Sequence, residues 1–231
     1  MTIPPDDRAC LGALVDQYLA VANDPAMDER RELWRRLHNL EPTRPLVYLR
    51  GGRVWGEVSE IQVRECAHPV LRGLEGTLRN LLYRASLGDD TIFEPWLTVR
   101  PVFRQNGWGL SQTITRPDEA KGAWKADHPL KDLDDLSQLI KPRHTIDEEA
   151  TAERLAVVRE AVGDRIAIDL DRSPCYTVWS GDLSTDLGRL RGIEQFMIDM
   201  YENPEGLNRL LAFMRDGVLA AHAQAEAAGD W

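Results

Sequence analysis

The second half of the chain alternates between helical and extended patterns, and this alternation limits the fold more than any other feature. Residues 147–162 have a helical period, acids in the first turn and Gly163 just past the end, as is typical of a complete helix. A short strand is predicted over 165–171 (RIAIDLD), and helices follow over 191–202 and from Asn203 onward. Strands separated by helices predict an α/β fold with a parallel sheet.

The first half contributes helices and one more apolar segment. Residues 46–49 (LVYL) are an unbroken apolar run between Pro45 and Gly51, which predicts a strand buried on both faces. The first 40 residues have helical periods, so we expect a helical segment over 1–43 and an α/β domain over 44–231. The three or four recognisable strands are too few for a closed barrel of eight. A small open domain and the front part of a larger one both remain open.

The overall charge argues against several classes of partner. The chain has 231 residues with 28 Lys+Arg against 38 Asp+Glu, a formal net charge of −10, whereas nucleic acids and anionic membranes attract basic proteins. No apolar stretch approaches the roughly 18 residues of a membrane helix, and the N-terminus does not resemble a signal peptide. The three cysteines are widely spaced, which favours free thiols in a cytoplasmic protein.

Sequence motifs for metal, nucleotide and nucleophile chemistry are missing. The chain contains no G-x-S-x-G, no phosphate-binding glycine loop and no dinucleotide fingerprint. Cys66 and His68 form a lone C-x-H, which offers two ligands at most, whereas zinc takes three or four. We therefore predict no metal site from these residues.

One candidate substrate loop follows the apolar run. Arg50 and Arg53 flank a glycine pair, with Trp55 and Glu57 just beyond. Ligands bind at strand ends in α/β sheets, and guanidinium groups pair with carboxylates. These four residues are predicted to bind substrate; the alternative is a turn with exposed arginines.

A second candidate loop follows the strand predicted over 165–171. Asp169 and Asp171 lie at the end of that strand and are predicted to do proton chemistry, while Tyr176 and Trp179 could flank a flat ligand. The alternative is that Asp171 only caps the next turn.

Several segments resemble one known family. Residues 136–142 (LSQLIKP), 147–151 (DEEAT), 191–197 (RGIEQFM), 201–206 (YENPEG) and 225–230 (AEAAGD) resemble the uroporphyrinogen-decarboxylase-like superfamily. That superfamily contains decarboxylases of haem biosynthesis and zinc-dependent methyltransferases that work with corrinoid proteins. The resemblance implies a TIM-type (β/α) barrel preceded by N-terminal helices, of which this chain would hold the N-terminal part.

The resemblance also implies an activity. Decarboxylases of the family have an R-Q-A-G-R-Y loop, and residues 50–54 (RGGRV) are one residue shorter and lack the tyrosine. The expected function is therefore methyl transfer to a small molecule, with a corrinoid protein or another methyl donor as partner. Decarboxylation of a uroporphyrinogen-like tetrapyrrole and a catalytically silent binding subunit are the alternatives. Any zinc ligands are expected beyond residue 231, so the chain by itself is expected to be inactive.

Overall fold

The computed structural model describes residues 3–50, 52–105, 107–116, 118, 124–177 and 181–231. In chain order its elements are α1 (Pro5–Ala22), α2 (Ala26–His38), a 3-10 helix (Gly52–Glu57), α3 (Ser59–Gln62), α4 (Pro69–Ser86), β1 (Trp96–Val99), β2 (Thr113–Thr115), β3 (Lys125–Asp127), α5 (Glu148–Val162), β4 (Ala167–Leu170), α6 (Leu183–Leu190), α7 (Ile193–Glu202) and α8 (Pro204–Ala228).

The chain forms two compact units. Unit 1 comprises Met1–Arg100 and Glu149–Leu170, and unit 2 comprises Pro101–Glu148 and Asp171–Trp231. The domain boundary predicted at residue 43 lies inside unit 1.

The core of unit 1 forms where α1 packs on α4. The apolar stripe predicted for α1 is confirmed, because Leu11, Val15 and Tyr18 are buried. Leu71 and Leu78 of α4 are fully buried in the same cluster. These two helices supply the platform on which the rest of unit 1 lies.

A two-stranded parallel sheet completes unit 1. β1 pairs with β4 in a register that sets Trp96 opposite Ala167 and Val99 opposite Leu170. α5 comes before β4 in the chain, so the helix and strand predicted for residues 147–171 are both present. Parallel strands need a long crossover between them, and here the crossover includes α5.

The prediction of a TIM-type barrel is wrong. Helices make up 53 % of the described structure, whose strands are four short segments in two small sheets, neither of which closes. Within the described residues, each sheet has two strands of three or four residues. Such sheets cannot enclose the layers of side chains that fill a barrel.

The apolar run at 46–49 was predicted to be a strand buried on both faces, and this prediction is wrong. It is not a strand: Val47 is 52 % and Leu49 40 % exposed. The Val47 N–H donates to Asp90 Oδ2 and the Leu49 N–H to Asp89 Oδ2, each at 2.8 Å. Side-chain carboxylates thus satisfy the amides that a neighbouring strand would otherwise bond.

We expect this segment to loosen in acid. Two hydrogen bonds from Arg44, at 2.8 and 2.5 Å, lower the pKa of Asp90 to about 2. A carboxyl group whose folded pKa is lowered stabilises the fold above its ordinary value of about 4, and that contribution is lost as the pH falls toward about 2. The Val47 amide proton shift, followed by NMR, should titrate near pH 2 in the wild-type chain.

Arg44→Gln is the informative variant for this titration. Without the guanidinium, the midpoint at Val47 should rise toward about 4. A wild-type midpoint already near 4, or the same midpoint in both proteins, would mean that Arg44 does not hold Asp90.

Unit 2 is built from α6, α7 and α8 with an antiparallel pair, β2 and β3, in which Thr113 lies opposite Asp127. Asn203 caps α8 by accepting a hydrogen bond from the Gly206 N–H at 2.9 Å, and Pro204 occupies the first turn. α8 ends at Gly229, whose φ of 73° is left-handed. Among the described helices, none combines the length and the apolar character that a membrane span requires.

Candidate functional site

The candidate site is a cavity of about 480 Å³ in unit 2. Its described lining includes two aromatic rings, one thiol and two charged side chains: Trp108, Tyr176, Cys175, Asp186 and Arg189. A cavity of this size, mainly apolar with a few polar groups, is typical of small-molecule sites.

Trp108 forms one wall of the cavity because the turn around it brings it against α8. Gly109, the next residue, has a φ of 85°, a conformation that favours glycine. A Cβ atom at Gly217 of α8 would lie 2.8 Å from the Trp108 ring, so only glycine lets the indole pack there. The ring centroids of Trp108 and Tyr176 are 5.8 Å apart. The aromatic wall is therefore fixed by packing.

The polar side of the cavity comes from α6. Asp182 caps this helix, accepting hydrogen bonds from the Ser184 N–H at 2.9 Å and the Thr185 N–H at 3.4 Å. One turn later, Asp186 Oδ2 accepts from Trp108 Nε1 at 2.8 Å. Arg189 Nη1 lies 3.5 Å from Asp186 Oδ1, and the arginine side chain is 66 % exposed. A 3.5 Å contact from so exposed an arginine is weak, so the guanidinium can turn toward an anionic ligand.

Tyr176 is part of the cavity lining, and its phenol is neutral. Burial raises the pKa of Tyr176, and the nearby charge of Asp186 raises it further. The phenol therefore stays protonated at neutral pH and can donate a hydrogen bond. His222 Nε2 donates to the Tyr176 carbonyl, which ties this loop to α8.

Of the four residues predicted to be functional in the second loop, Tyr176 is the described one that lines this cavity. Asp171 Oδ1 accepts from the Ser173 N–H at 3.0 Å, which is the turn-capping role considered as the alternative. Asp169 is an exposed residue of β4 in unit 1. Trp179 lies outside the described residues.

The first predicted loop belongs to unit 1. Arg50 is exposed just before the 3-10 helix, and Glu57 is exposed at its end. Trp55 packs edge-on against Tyr83 with ring centroids 5.7 Å apart. The side chain of Arg53 lies outside the described part of the chain. The two predicted loops thus contribute to different units.

Sequence reasoning missed Trp108, Asp186 and Arg189. No helix was predicted between the strand over 165–171 and the helix over 191–202, but Leu183–Leu190 is α6. A signal was present: the Asp182 cap is followed by leucines at 183, 187 and 190, a spacing typical of an amphipathic helix. Nothing local to the sequence connects the turn at Trp108 with that helix.

A histidine–carboxylate pair elsewhere in unit 2 resembles a catalytic dyad but does not line this cavity. His144 Nε2 lies 2.8 Å from Asp230 Oδ2, and Asp230 Oδ1 accepts from Arg172 Nε at 2.5 Å. The pKa of Asp230 is lowered, chiefly by Arg172. His144 is 2 % exposed, so this pair fastens the end of α8 rather than facing solvent.

Unit 1 holds a second chemically active group, the Cys10–Cys66 pair. Burial raises the pKa of both thiols, and the charge of Glu75 adds to it. His68, the partner considered for Cys66, instead caps α4: its Nδ1 accepts from the Val70 N–H at 3.2 Å. The Nδ1 atom of His68 is therefore engaged at the start of α4.

Comparison with known proteins assigns no family to either unit. Searches of protein-family models, of curated proteins and of solved structures each found no significant match for this chain.

Proposed function

We propose that the chain binds a small molecule in the unit 2 cavity and takes part in methyl transfer to that molecule. The observation that carries the binding proposal is the cavity itself, which has an aromatic wall and an exposed Arg189 side chain that can reorient toward a ligand. The choice of methyl transfer rests on the resemblance to the uroporphyrinogen-decarboxylase-like superfamily. The barrel of that superfamily is not part of the proposal.

The charge of the cavity favours a small acceptor over a tetrapyrrole. A uroporphyrinogen-like substrate carries many carboxylates and needs several cationic partners. Among the described lining residues, Arg189 is the cationic side chain, and Asp186 offsets its charge. One arginine suits a ligand with a single anionic group, so decarboxylation of a tetrapyrrole is the weaker alternative.

The cavity does not fit the zinc ion that the resemblance implies. Zinc needs three or four donors, whereas the described lining offers the Cys175 thiol and the Asp186 carboxylate as ligands of that kind. Asp186 already accepts from Trp108 and faces Arg189. We therefore assign no metal-dependent step to this cavity.

The cavity residues can position an acceptor thiol without a metal. Arg189 would pair with the anionic group of the acceptor, and its positive charge favours the thiolate, which is the nucleophile. Trp108 and Tyr176 would hold the apolar part of the molecule through their rings. In this proposal the thiol proton passes to solvent and the thiolate attacks the methyl group of a corrinoid protein, so that the S–C bond forms as the methyl–corrinoid bond breaks and its electron pair leaves with the corrinoid. We propose a cytoplasmic location for this activity, because three widely spaced cysteines are not typical of a disulfide scaffold.

We expect the wild-type chain to bind 3-mercaptopropionate, a small thiol with one carboxylate, saturably in isothermal titration calorimetry. Gly107 lines the cavity, and a Cβ there would meet nothing within 4 Å. Gly107→Phe should therefore fold and fill the cavity, weakening binding at least about tenfold, or about 1.4 kcal/mol. Gly107→Ala is the matched control and should bind like the wild type.

The same proteins test methyl transfer. With methylcobalamin as donor, mass spectrometry should detect S-methylated 3-mercaptopropionate above the level formed without protein, and Gly107→Phe should abolish that excess. Binding without any excess product would support the silent binding subunit and refute methyl transfer. Equal binding by Gly107→Phe and wild type would refute the cavity as the site.

A further inference from the structure

Two thiols and a carboxylate meet in the core of unit 1. Cys10 is on α1, Cys66 is in the segment before α4, and Glu75 is on α4. Their Sγ, Sγ and carboxylate oxygen atoms all lie within 4.8 Å of one another. Cys10 is far in the sequence from Cys66 and Glu75, so no short spacing motif predicts that the three side chains meet.

The segment that carries Cys66 is held in place from both sides. The Asp7 carboxylate accepts from the Ala67 N–H at 3.0 Å and the His68 N–H at 2.9 Å. Glu75 Oε2 accepts from the Glu65 N–H and the Cys66 N–H, both at 2.9 Å. The Cys66 thiol is therefore positioned against Cys10 by backbone hydrogen bonds, without any help from a ligand.

Glu75 has room for one more partner. Among the described residues, its hydrogen-bond donors are the Glu65 N–H, shared between both oxygens, the Cys66 N–H and Arg79 Nε. A carboxylate has about four lone-pair positions. If the Glu65 N–H bonds to only one of the two oxygens, the three donors occupy three lone-pair positions. The fourth position is then available. The carboxylate can thus bind a cation and keep its three donors.

The local charge also suits a divalent cation. The Glu75 carboxylate and the Arg79 guanidinium lie 2.8 Å apart and have opposite charges, and the two thiols are neutral. The charges of these four groups therefore sum to zero. When a divalent ion replaces the two thiol protons, the sum is again zero. Binding would therefore leave the net charge of these four groups unchanged, and the nearby carboxylates of Asp7 and Glu65 add negative charge that favours a cation.

We propose that Cys10, Cys66 and Glu75 form a binding site for a thiophilic divalent cation of the zinc and cadmium type. Thiolates favour soft ions. The donor atoms of a tetrahedral zinc site lie roughly 3.5–3.8 Å apart, as follows from bond lengths near 2.3 Å to sulfur and 2.1 Å to oxygen. Closing the present arrangement to that size needs side-chain movements of about 1 Å.

The partly buried Cys10 provides the way in for the ion. Three protein ligands leave a fourth tetrahedral position for solvent or another ligand. This site lies in unit 1 and does not depend on the proposed function, which concerns the cavity in unit 2.

The test is a titration of the reduced full chain with cadmium, followed by the ultraviolet thiolate-to-cadmium charge-transfer absorption. We expect saturation at one equivalent. Cys10→Ser should weaken binding at least about tenfold, because loss of a coordinating group costs at least as much as loss of a supporting one. Cys175→Ser changes the other half-buried cysteine and should leave the titration unchanged.

A second measurement needs no variant. One equivalent of cadmium or zinc should protect Cys10 from alkylation by iodoacetamide, as mapped by mass spectrometry, and should leave Cys175 as reactive as before. The proposal would be overturned if Cys10 stayed fully reactive with the metal present, or if no charge-transfer band appeared at one equivalent of cadmium. Equal loss of that band in Cys10→Ser and Cys175→Ser would overturn it as well.

Discussion

Replacing Glu75 with alanine should destabilise unit 1 by about 3–5 kcal/mol, the cost typical of removing one partner from a buried ion pair. Glu75 is fully buried, and Arg79, its partner at 2.8 Å, is only 19 % exposed. The substitution leaves this guanidinium without its buried counter-ion and removes the acceptor of the Glu65 and Cys66 amides. Each unsatisfied buried donor adds to the loss.

The pKa of Glu75 agrees with this role. Burial alone would raise it, but hydrogen bonds from the Cys66 and Glu65 amides and from Arg79 outweigh burial, so the pKa is lowered. The fold thus stabilises the carboxylate form. Its contribution is present above the ordinary glutamate value of about 4.3 and is lost as the pH falls through the lower folded value.

Glu65→Gln is the matched control for Glu75→Ala. Glu65 lies at the same 2.8 Å from Arg79 but is 62 % exposed, so this change should cost less than about 1 kcal/mol. Urea denaturation followed by circular dichroism should separate the two variants clearly. Similar midpoints for both would show that burial of Glu75 is not what makes the contact strong.

The second large effect is expected at Asp199 in unit 2, where Asp199→Ala should cost about 3–5 kcal/mol. Asp199 Oδ2 accepts from Arg191 Nε at 2.7 Å and Oδ1 from Arg191 Nη2 at 2.9 Å, a bidentate pair in which both side chains are under 10 % exposed. Arg191 Nη1 also donates to the carbonyl groups of Leu130, at 3.1 Å, and Lys131, at 2.5 Å. The pair therefore joins α7 to the segment that carries Leu130, a core residue.

The effect should depend on pH in a defined direction. The Arg191 guanidinium lowers the pKa of Asp199. The stabilisation is complete above the ordinary aspartate value of about 3.9 and declines as the pH falls through the lower folded value. Hydrogen exchange of α7 should show the wild type approaching the variant in acid, whereas at neutral pH the variant should exchange faster.

Asp134→Asn provides the control for unit 2. Asp134 pairs with Arg209 at 2.5 Å, but the two side chains are 72 % and 51 % exposed, so its loss should change stability by less than about 1 kcal/mol. Equal exchange rates in Asp199→Ala and Asp134→Asn would contradict the role given to the buried pair.

The helices were the part of the fold that the sequence predicted well. α1, α4, α5 and α8 all lie where apolar periods, prolines and terminal glycines indicated. A helix buries a stripe whose spacing is local, so its signal is present in a short window. The strand predicted over 165–171 was also found as β4.

The prediction failed where hydrogen-bond partners are distant in the sequence. An apolar run such as 46–49 can be a buried strand or an extended segment bonded by side chains, and periodicity cannot distinguish them. Here Asp89 and Asp90 occupy its amides. A segment that bonds its amides to carboxylates does not extend a sheet. The barrel was expected from the family resemblance, and it is wrong because the described strands form two small sheets of two strands each.

The two candidate sites also separate what the sequence predicts from what only the tertiary structure determines. The sequence by itself predicted most of the long helices, the negative net charge and a ligand-binding role for the loop that holds Tyr176. Only the tertiary structure brought Trp108 against Asp186, and Cys10 against Cys66 and Glu75. Helical signals come from neighbours within one or two turns, whereas a site is a meeting of side chains whose separation along the chain carries no local signal.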